Sequence, residues 1–197
     1  MINNNNNIKV ILIGEGGTGK TSLIRNVIGL PFCQTIETTS ANSFSTKQIT
    51  INKKTYNINL WDTIGQEKYR ALTKIFIKES DIVVLVYDIT NRKSFTELEY
   101  WYNEVEDILG SSPILGIAGN KYDLFTQEEV KESEGEQFAK SKNAMFKLTS
   151  AKTPELFNEL IMNLVNQYLC LHKGVTRESI GQFIDQRYVE KKKKCCK

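Results

Sequence analysis

Eight residues have the types and spacing needed to hold phosphate: Gly14-Glu15-Gly16-Gly17-Thr18-Gly19-Lys20-Thr21, a G-x-x-x-x-G-K-T pattern. Its glycines let successive backbone N–H groups turn inward around a polyphosphate, and the helix expected to follow adds the positive end of its dipole. Lys20 can reach the β- and γ-phosphates, and the Thr21 hydroxyl can ligate Mg²⁺. The loop alone leaves ATP and GTP open, and kinase, ATPase and switch as well.

Further clusters narrow the chemistry. In Asp62-Thr63-Ile64-Gly65-Gln66-Glu67, the first carboxylate can hold Mg²⁺ through water. The Gly65 N–H can approach a γ-phosphate, and Gln66 can orient an attacking water. In Asn120-Lys121-Tyr122-Asp123, a carboxylate accepting from the N1–H and exocyclic amine of guanine would select that base, because adenine cannot supply the pair. Asp123 therefore argues against an ATP-dependent enzyme. In Ser150-Ala151-Lys152, a backbone N–H can meet the guanine oxygen. The Thr39 hydroxyl can complete the metal shell when a γ-phosphate is present.

The elements that must position these residues can be read from hydropathy. Residues 8–13 form an apolar run that predicts a buried strand, and residues 22–28 a helix ended by Gly29-Leu30-Pro31. Residues 44–51 and 55–61 alternate and predict an antiparallel hairpin. Residues 81–88 predict a buried parallel strand. Phe95, Leu98, Trp101, Tyr102, Val105, Ile108 and Leu109 then mark one amphipathic helix. A strand follows at 114–118, and Thr126-Gln127-Glu128-Glu129 predicts a capping-box start for a helix reaching about residue 140. Residues 145–148 give the last strand. Thr153-Pro154 opens a last helix, apolar at Leu156, Phe157, Leu160, Ile161, Leu164, Val165 and Tyr168. Strands alternating with helices predict a doubly wound α/β sheet, with ligands at the carboxyl ends of its strands.

At 197 residues and 40% hydrophobic, the chain suits one domain plus a tail. The formal charge of +3 is unevenly spread: from Lys173 onward there are eight Lys/Arg against three Asp/Glu. The remainder is slightly acidic, which argues against nucleic acid as a partner. The four cysteines, Cys33, Cys170, Cys195 and Cys196, show neither a disulfide framework nor zinc spacing, and a reducing cytosolic setting fits. No signal peptide is visible, Ile2 excludes N-myristoylation, and no apolar run is long enough to span a bilayer.

Together these motifs resemble the Ras-like small GTPases, and within them the Rab family. Trp61-Asp62-Thr63, Gln66-Glu67, Tyr69-Arg70, Tyr87-Asp88-Ile89-Thr90 and Ser94-Phe95 are similar to Rab sequences in particular. Thr39 stands 18 residues after Thr21, where the family places its switch threonine, and Phe32 stands seven before Thr39, where the family places an aromatic that stacks on guanine. The resemblance implies a single P-loop G domain over residues 8–172, with a six-stranded, mostly parallel sheet, one antiparallel strand, and helices on both faces. Residues 1–7 would be a disordered Asn-rich leader, and residues 173–197 a flexible basic tail.

It also implies a GTP/GDP switch in membrane trafficking, with Mg²⁺ held by Thr21, Thr39 and, through water, Asp62. Lys20 and Gln66 would serve hydrolysis. Gly14, Glu15, Gly16, Gly17, Thr18, Gly19, Lys20, Thr21 and Gly65 would hold phosphate. Phe32, Asn120, Lys121, Asp123, Ser150, Ala151 and Lys152 would hold the base. Implied partners are an exchange factor, a GTPase-activating protein, effectors and a prenyl-binding escort. Cys195 and Cys196, preceded by Lys191, Lys192, Lys193 and Lys194, match the family's paired prenylation site with one trailing residue, Lys197. Two lipid chains and a basic run would bind the cytoplasmic face of intracellular membranes, with cycling through the cytosol.

Two departures stand out. Ile64 replaces the family's usual Ala, and its β-branch is expected to stiffen and crowd the second switch, adding bulk near the phosphate loop. That leaves a GTP-binding module with little hydrolysis as the alternative. Thr39-Ser40-Ala41-Asn42-Ser43-Phe44 replaces Thr-Ile-Gly-Val-Asp-Phe on a surface where the family meets partners, so its partners do not transfer automatically.

Overall fold

The computed structural model describes residues 6–34, 43–51, 53–64, 70–110 and 113–175, with backbone alone for 70–72. Six strands are β1 (Asn7–Ile13), β2 (Ser43–Ile51), β3 (Lys54–Asp62), β4 (Ile82–Asp88), β5 (Ile114–Asn120) and β6 (Met145–Leu148). The helices are α1 (Lys20–Val27), α2 (Arg70–Ile77), α3 (Arg92–Thr96), α4 (Leu98–Leu109), α5 (Glu132–Ser141) and α6 (Pro154–Lys173). The strands form one sheet in the order β2-β3-β1-β4-β5-β6, antiparallel only between β2 and β3.

Alternation along each strand sorts the core into two layers. Val10, Leu12, Ile58, Leu60, Val84 and Val86 face α1 and α6, where Leu23, Phe157, Leu160 and Leu164 meet them. Ile11, Ile13, Val83, Leu85 and Ile117 face the other helices, where Ile77, Leu98, Trp101, Val105 and Ala139 meet them. β4 is buried along its whole length, as a central parallel strand covered on both faces should be. On the flank, Phe44 of β2 stacks on Trp61 of β3, which meets Phe76 of α2.

Three boundaries differ from expectation. β1 begins at Asn7, inside the run expected to be a leader. Asn57 donates its backbone N–H to the Asn6 carbonyl and its side-chain amide to Asn7 Oδ1, at 2.9 and 2.8 Å, so pairing with β3 overrides poor strand propensity. The single helix expected across Phe95 to Leu109 is divided at Glu97, where α3 ends. Thr96 Oγ1 donates to the Arg92 carbonyl at 2.8 Å, a back-bond of the kind that bends helices.

α5 begins at Glu132, not near Thr126; residues 122–127 form a 3-10 turn. The Glu129 carboxylate expected to cap a helix instead accepts from the Arg92 N–H at 2.7 Å. The N–H groups of Glu129 and Val130 both donate to the Ile89 carbonyl, at 2.8 and 3.1 Å. The acidic cap falls five residues later, where Glu134 accepts from the Lys131 N–H at 3.0 Å.

Tight packing of the loop after β1 against β4 fixes the position of the site. Gly14 has φ +151°, and a Cβ there would collide with the Val86 carbonyl oxygen, which is backbone and cannot move aside. Gly14→Ala should therefore destabilise the fold by about 3 kcal/mol, measurable by denaturant unfolding; a cost within experimental error would refute this account of the loop.

Candidate functional site

The loop between β1 and α1 curls around its own lysine. Lys20, the first residue of α1, is buried (5% exposed), and its Nζ donates to the carbonyls of Gly14 and Glu15 at 2.8 and 2.9 Å. Burial brings the Lys20 ammonium down to about 8, against the pull of Asp62 and Glu15 in the other direction. Thr18 Oγ1 closes the loop by donating to the Glu15 carbonyl at 2.9 Å.

Asp62 reaches this point because β3 pairs with β1, setting Asp62 opposite Leu12. It is 3% exposed; one oxygen accepts from Thr21 Oγ1 at 2.7 Å, and the other is buried without a hydrogen-bond partner. Burial raises its carboxyl above the ordinary range, with the Thr21 hydrogen bond and the Lys20 charge acting against it. A hydroxyl beside a carboxylate with an unsatisfied oxygen is a hard, all-oxygen donor set. Among the described residues no group of three or more His, Cys, Asp or Glu could hold a metal ion. That composition fits Mg²⁺, which typically takes one or two carboxylates plus phosphates and water rather than an all-protein cage.

A cavity of about 390 Å³ runs from this corner to the ends of β5 and β6. Gly17, Lys20 and Thr21 line one end, and Asp123, Ala151 and Lys152 the other. Gly16, Gly19, Phe32, Asn120 and Lys121 also line it. Phe32 is exposed, with Lys152 Nζ 5.8 Å from its ring centroid. Asp123 accepts from Ser150 Oγ at 2.6 Å and from Lys152 Nζ at 2.7 Å. Burial opposes its ionisation, but the hydrogen bonds from Lys152 and Ser150 prevail and hold its carboxyl below the usual range. A carboxylate offers about four lone-pair sites, so two such bonds leave capacity for a ligand.

Several residues named from sequence act in the walls rather than at the surface. Gly14, Glu15, Thr18, Asp62 and Ser150 do not line the cavity but hold those that do. Asn120 is buried and ties the two ends together: its amide donates to the Thr18 carbonyl at 2.7 Å, and its oxygen accepts from Thr149 Oγ1 at 3.3 Å. Gly19 (φ +92°) is required here, because a Cβ would strike the Asn120 amide. Lys121, at φ +65°, pairs with Asp88 at 2.6 Å. The Ala151 carbonyl accepts from the Asn26 amide of α1.

Ile64 is buried (4% exposed) and is not among the residues that line the cavity. Thr39, Gly65, Gln66, Lys191, Lys192, Lys193, Lys194, Cys195 and Cys196 lie outside the described residues. Sequence reasoning missed Ser22, Cys33, Gln34, Thr63 and Leu124 in the lining. Ser22, Cys33, Thr63 and Leu124 each adjoin a motif residue, which was the available signal. Thr63 donates its hydroxyl to the Leu12 carbonyl at 2.7 Å and so fixes the exit from β3.

Comparison with known families matches residues 9–170 to the one described as the Ras family. Among known proteins, the Ras-related protein Rab-21 of Bos taurus is 39% identical over 161 residues, spanning 82% of this chain and 72% of the relative. Rab-21 of Homo sapiens matches with the same identity and coverage. The Ras-related protein Rab-5A of Dictyostelium discoideum is 32% identical over 203 residues, spanning 99% of this chain and all of the relative.

The Lys20 environment sets a pH dependence. Its folded value of about 8 lies below the ordinary 10.5, so between those limits the unfolded chain binds more protons and stability rises with pH. Lys20→Met should lose that rise in denaturation measured from pH 8 to 10. Conversely, an anion bound beside Lys20 should draw a proton onto it. Triphosphate affinity should fall across the same range, with proton uptake visible by calorimetry in buffers of different ionisation enthalpy.

Proposed function

This chain belongs to the Ras family, in its Rab branch, and is a small GTPase; on that footing we propose that it is a GTP/GDP switch of intracellular membrane trafficking, with slow hydrolysis of its own. The observation that carries the assignment of residues is the single cavity lined at one end by the phosphate loop and at the other by Asp123, Ala151 and Lys152. A nucleotide is a polyphosphate joined to a base, and the two kinds of wall suit its two ends.

In this reading the backbone of residues 14–19 cradles the phosphates and Lys20 carries the compensating proton. Thr21 and, through water, Asp62 would hold Mg²⁺, with Thr39 joining when the γ-phosphate is present; the ion would supply neutralisation of charge on the phosphate oxygens. Gln66 orients the attacking water, and the Gly65 N–H faces the γ-phosphate. Asp123 accepts from the guanine edge, the Ala151 N–H donates to its oxygen, and Phe32 and Lys152 flank the ring. Asn120 and Lys121 serve by holding the loops in place. Residues 32–43 contain no arginine, so a GTPase-activating protein supplies the missing charge, worth roughly 10³–10⁵-fold in rate.

The tail, residues 173–197, anchors the protein through geranylgeranyl chains on Cys195 and Cys196. The lysine run biases it to anionic cytoplasmic leaflets, and an escort protein returns it to the cytosol. Regulators and effectors belong to the same reading.

Two measurements test it. Asp123→Asn removes two hydrogen bonds to a charged acceptor and should cut GTP affinity about a hundredfold while xanthosine triphosphate binding rises. Full GTP affinity in the variant would sink the placement of the base. Changing Cys195 and Cys196 together to Ser should release the protein from membranes in cell fractionation, with GTP binding intact. Mass spectrometry finding both native thiols unmodified would refute the lipid anchor.

A further inference from the structure

The phosphate loop contains an acid. Glu15 lies between Gly14 and Gly16, and its charge bears on the Lys20 ammonium. A carboxylate free to turn into this site would repel the anion the loop is built to bind. The Glu15 side chain is turned out of it. It is buried, it does not line the cavity, and its Oε1 accepts a hydrogen bond from Trp101 Nε1 at 3.3 Å.

Trp101 is well placed to hold it. It is among the largest fully buried side chains, it sits in the core layer formed by Ile11, Ile13 and Val83, and its ring meets Tyr100 edge-on at 5.2 Å. Its indole can only donate, and a buried donor left without an acceptor is costly. The bond to Glu15 gives that donor an acceptor across 86 residues of sequence. The aromatic stripe of α4 reads as core from its spacing, and it is core. One member of that stripe also has a polar edge, directed at the loop.

We infer that Trp101 is a positioning residue for the phosphate loop: its indole N–H holds the Glu15 carboxylate against α4, out of the space that nucleotide phosphates occupy. The inference rests on the nucleotide-binding reading above. It goes further by assigning a helix outside the site a role in anion affinity. Bulk alone does not fill that role; the N–H does.

The test is a double-mutant cycle with Trp101→Phe, which keeps an aromatic ring and removes the donor, and Glu15→Gln. Fluorescently labelled GDP and GTP serve as probes on the full chain. Trp101→Phe should weaken GTP binding about tenfold, and the Trp101→Phe/Glu15→Gln pair should return to within about twofold of Glu15→Gln alone. Equal losses from Trp101→Phe in both backgrounds would show that Trp101 only packs, and no loss at all would also overturn the inference.

Should Trp101→Phe fail to fold, the native chain still decides. The nitrogen-15 indole signal of Trp101 should shift, and lose its protection from hydrogen exchange, in Glu15→Ala. An unchanged signal would overturn the pairing. Failure of the native chain to bind guanine nucleotide would instead refute the functional reading, and the indole signal would still report on the pairing.

Discussion

A buried ammonium is the constraint on which the rest of this structure depends. Taking such an ion out of water costs several kcal/mol, and among the described residues the Lys20 charge meets two backbone carbonyls of its own loop at hydrogen-bond distance. The loop can present those carbonyls only because Gly14 lets it pass hard against β4, and β4 in turn is held by strands on both sides. Asp62, with an unsatisfied oxygen, and Glu15 both lie close enough to bear on that charge, so the corner holds a buried cation and an acid with an open acceptor. A polyphosphate with its divalent cation complements both. The free energy stored there on folding is returned on binding, which is preorganisation in electrostatic form.

Much of the architecture was legible because burial follows chain geometry. The apolar run of β4, the alternation of the β2–β3 hairpin and the apolar stripe of α6 all matched the structure, since each reflects a sheet or helix face meeting core. The misses share a cause: a side chain was used elsewhere. Glu129, read as a helix cap, bonds the Arg92 backbone instead, and the cap passed to Glu134. Thr96 bonds backwards to Arg92 where the helix divides. Asn7 joined a strand, with Asn6 bonded just before it, because Asn57 supplied partners. None of these bonds leaves a mark on hydrophobic periodicity.

The site divides in the same way. Which residues gather was readable from motif order and spacing, since a G-x-x-x-x-G-K-T loop after a strand admits few geometries. What each side chain does there was not. Asn120 lines the cavity and also braces it, through Thr18 and Thr149. Glu15 belongs to the phosphate loop by its backbone, yet its side chain faces a tryptophan. Ile64 is buried. Side-chain direction is decided by neighbours distant in sequence, and one sequence does not reveal them.

Those distant ties have a consequence for how the protein is made. The phosphate loop leans on Asn120, and α1 is bonded through Asn26 to Ala151, contacts that span 102 and 125 residues. Synthesis runs from the N-terminus, so the loop and α1 leave the ribosome long before the residues that brace them. β1 likewise waits for β3 and β4 before either of its edges is paired. Only the β2–β3 hairpin closes over a short interval. The nascent chain thus carries an incomplete anion site through most of its translation, and that site becomes whole only when the segment around Ala151 emerges.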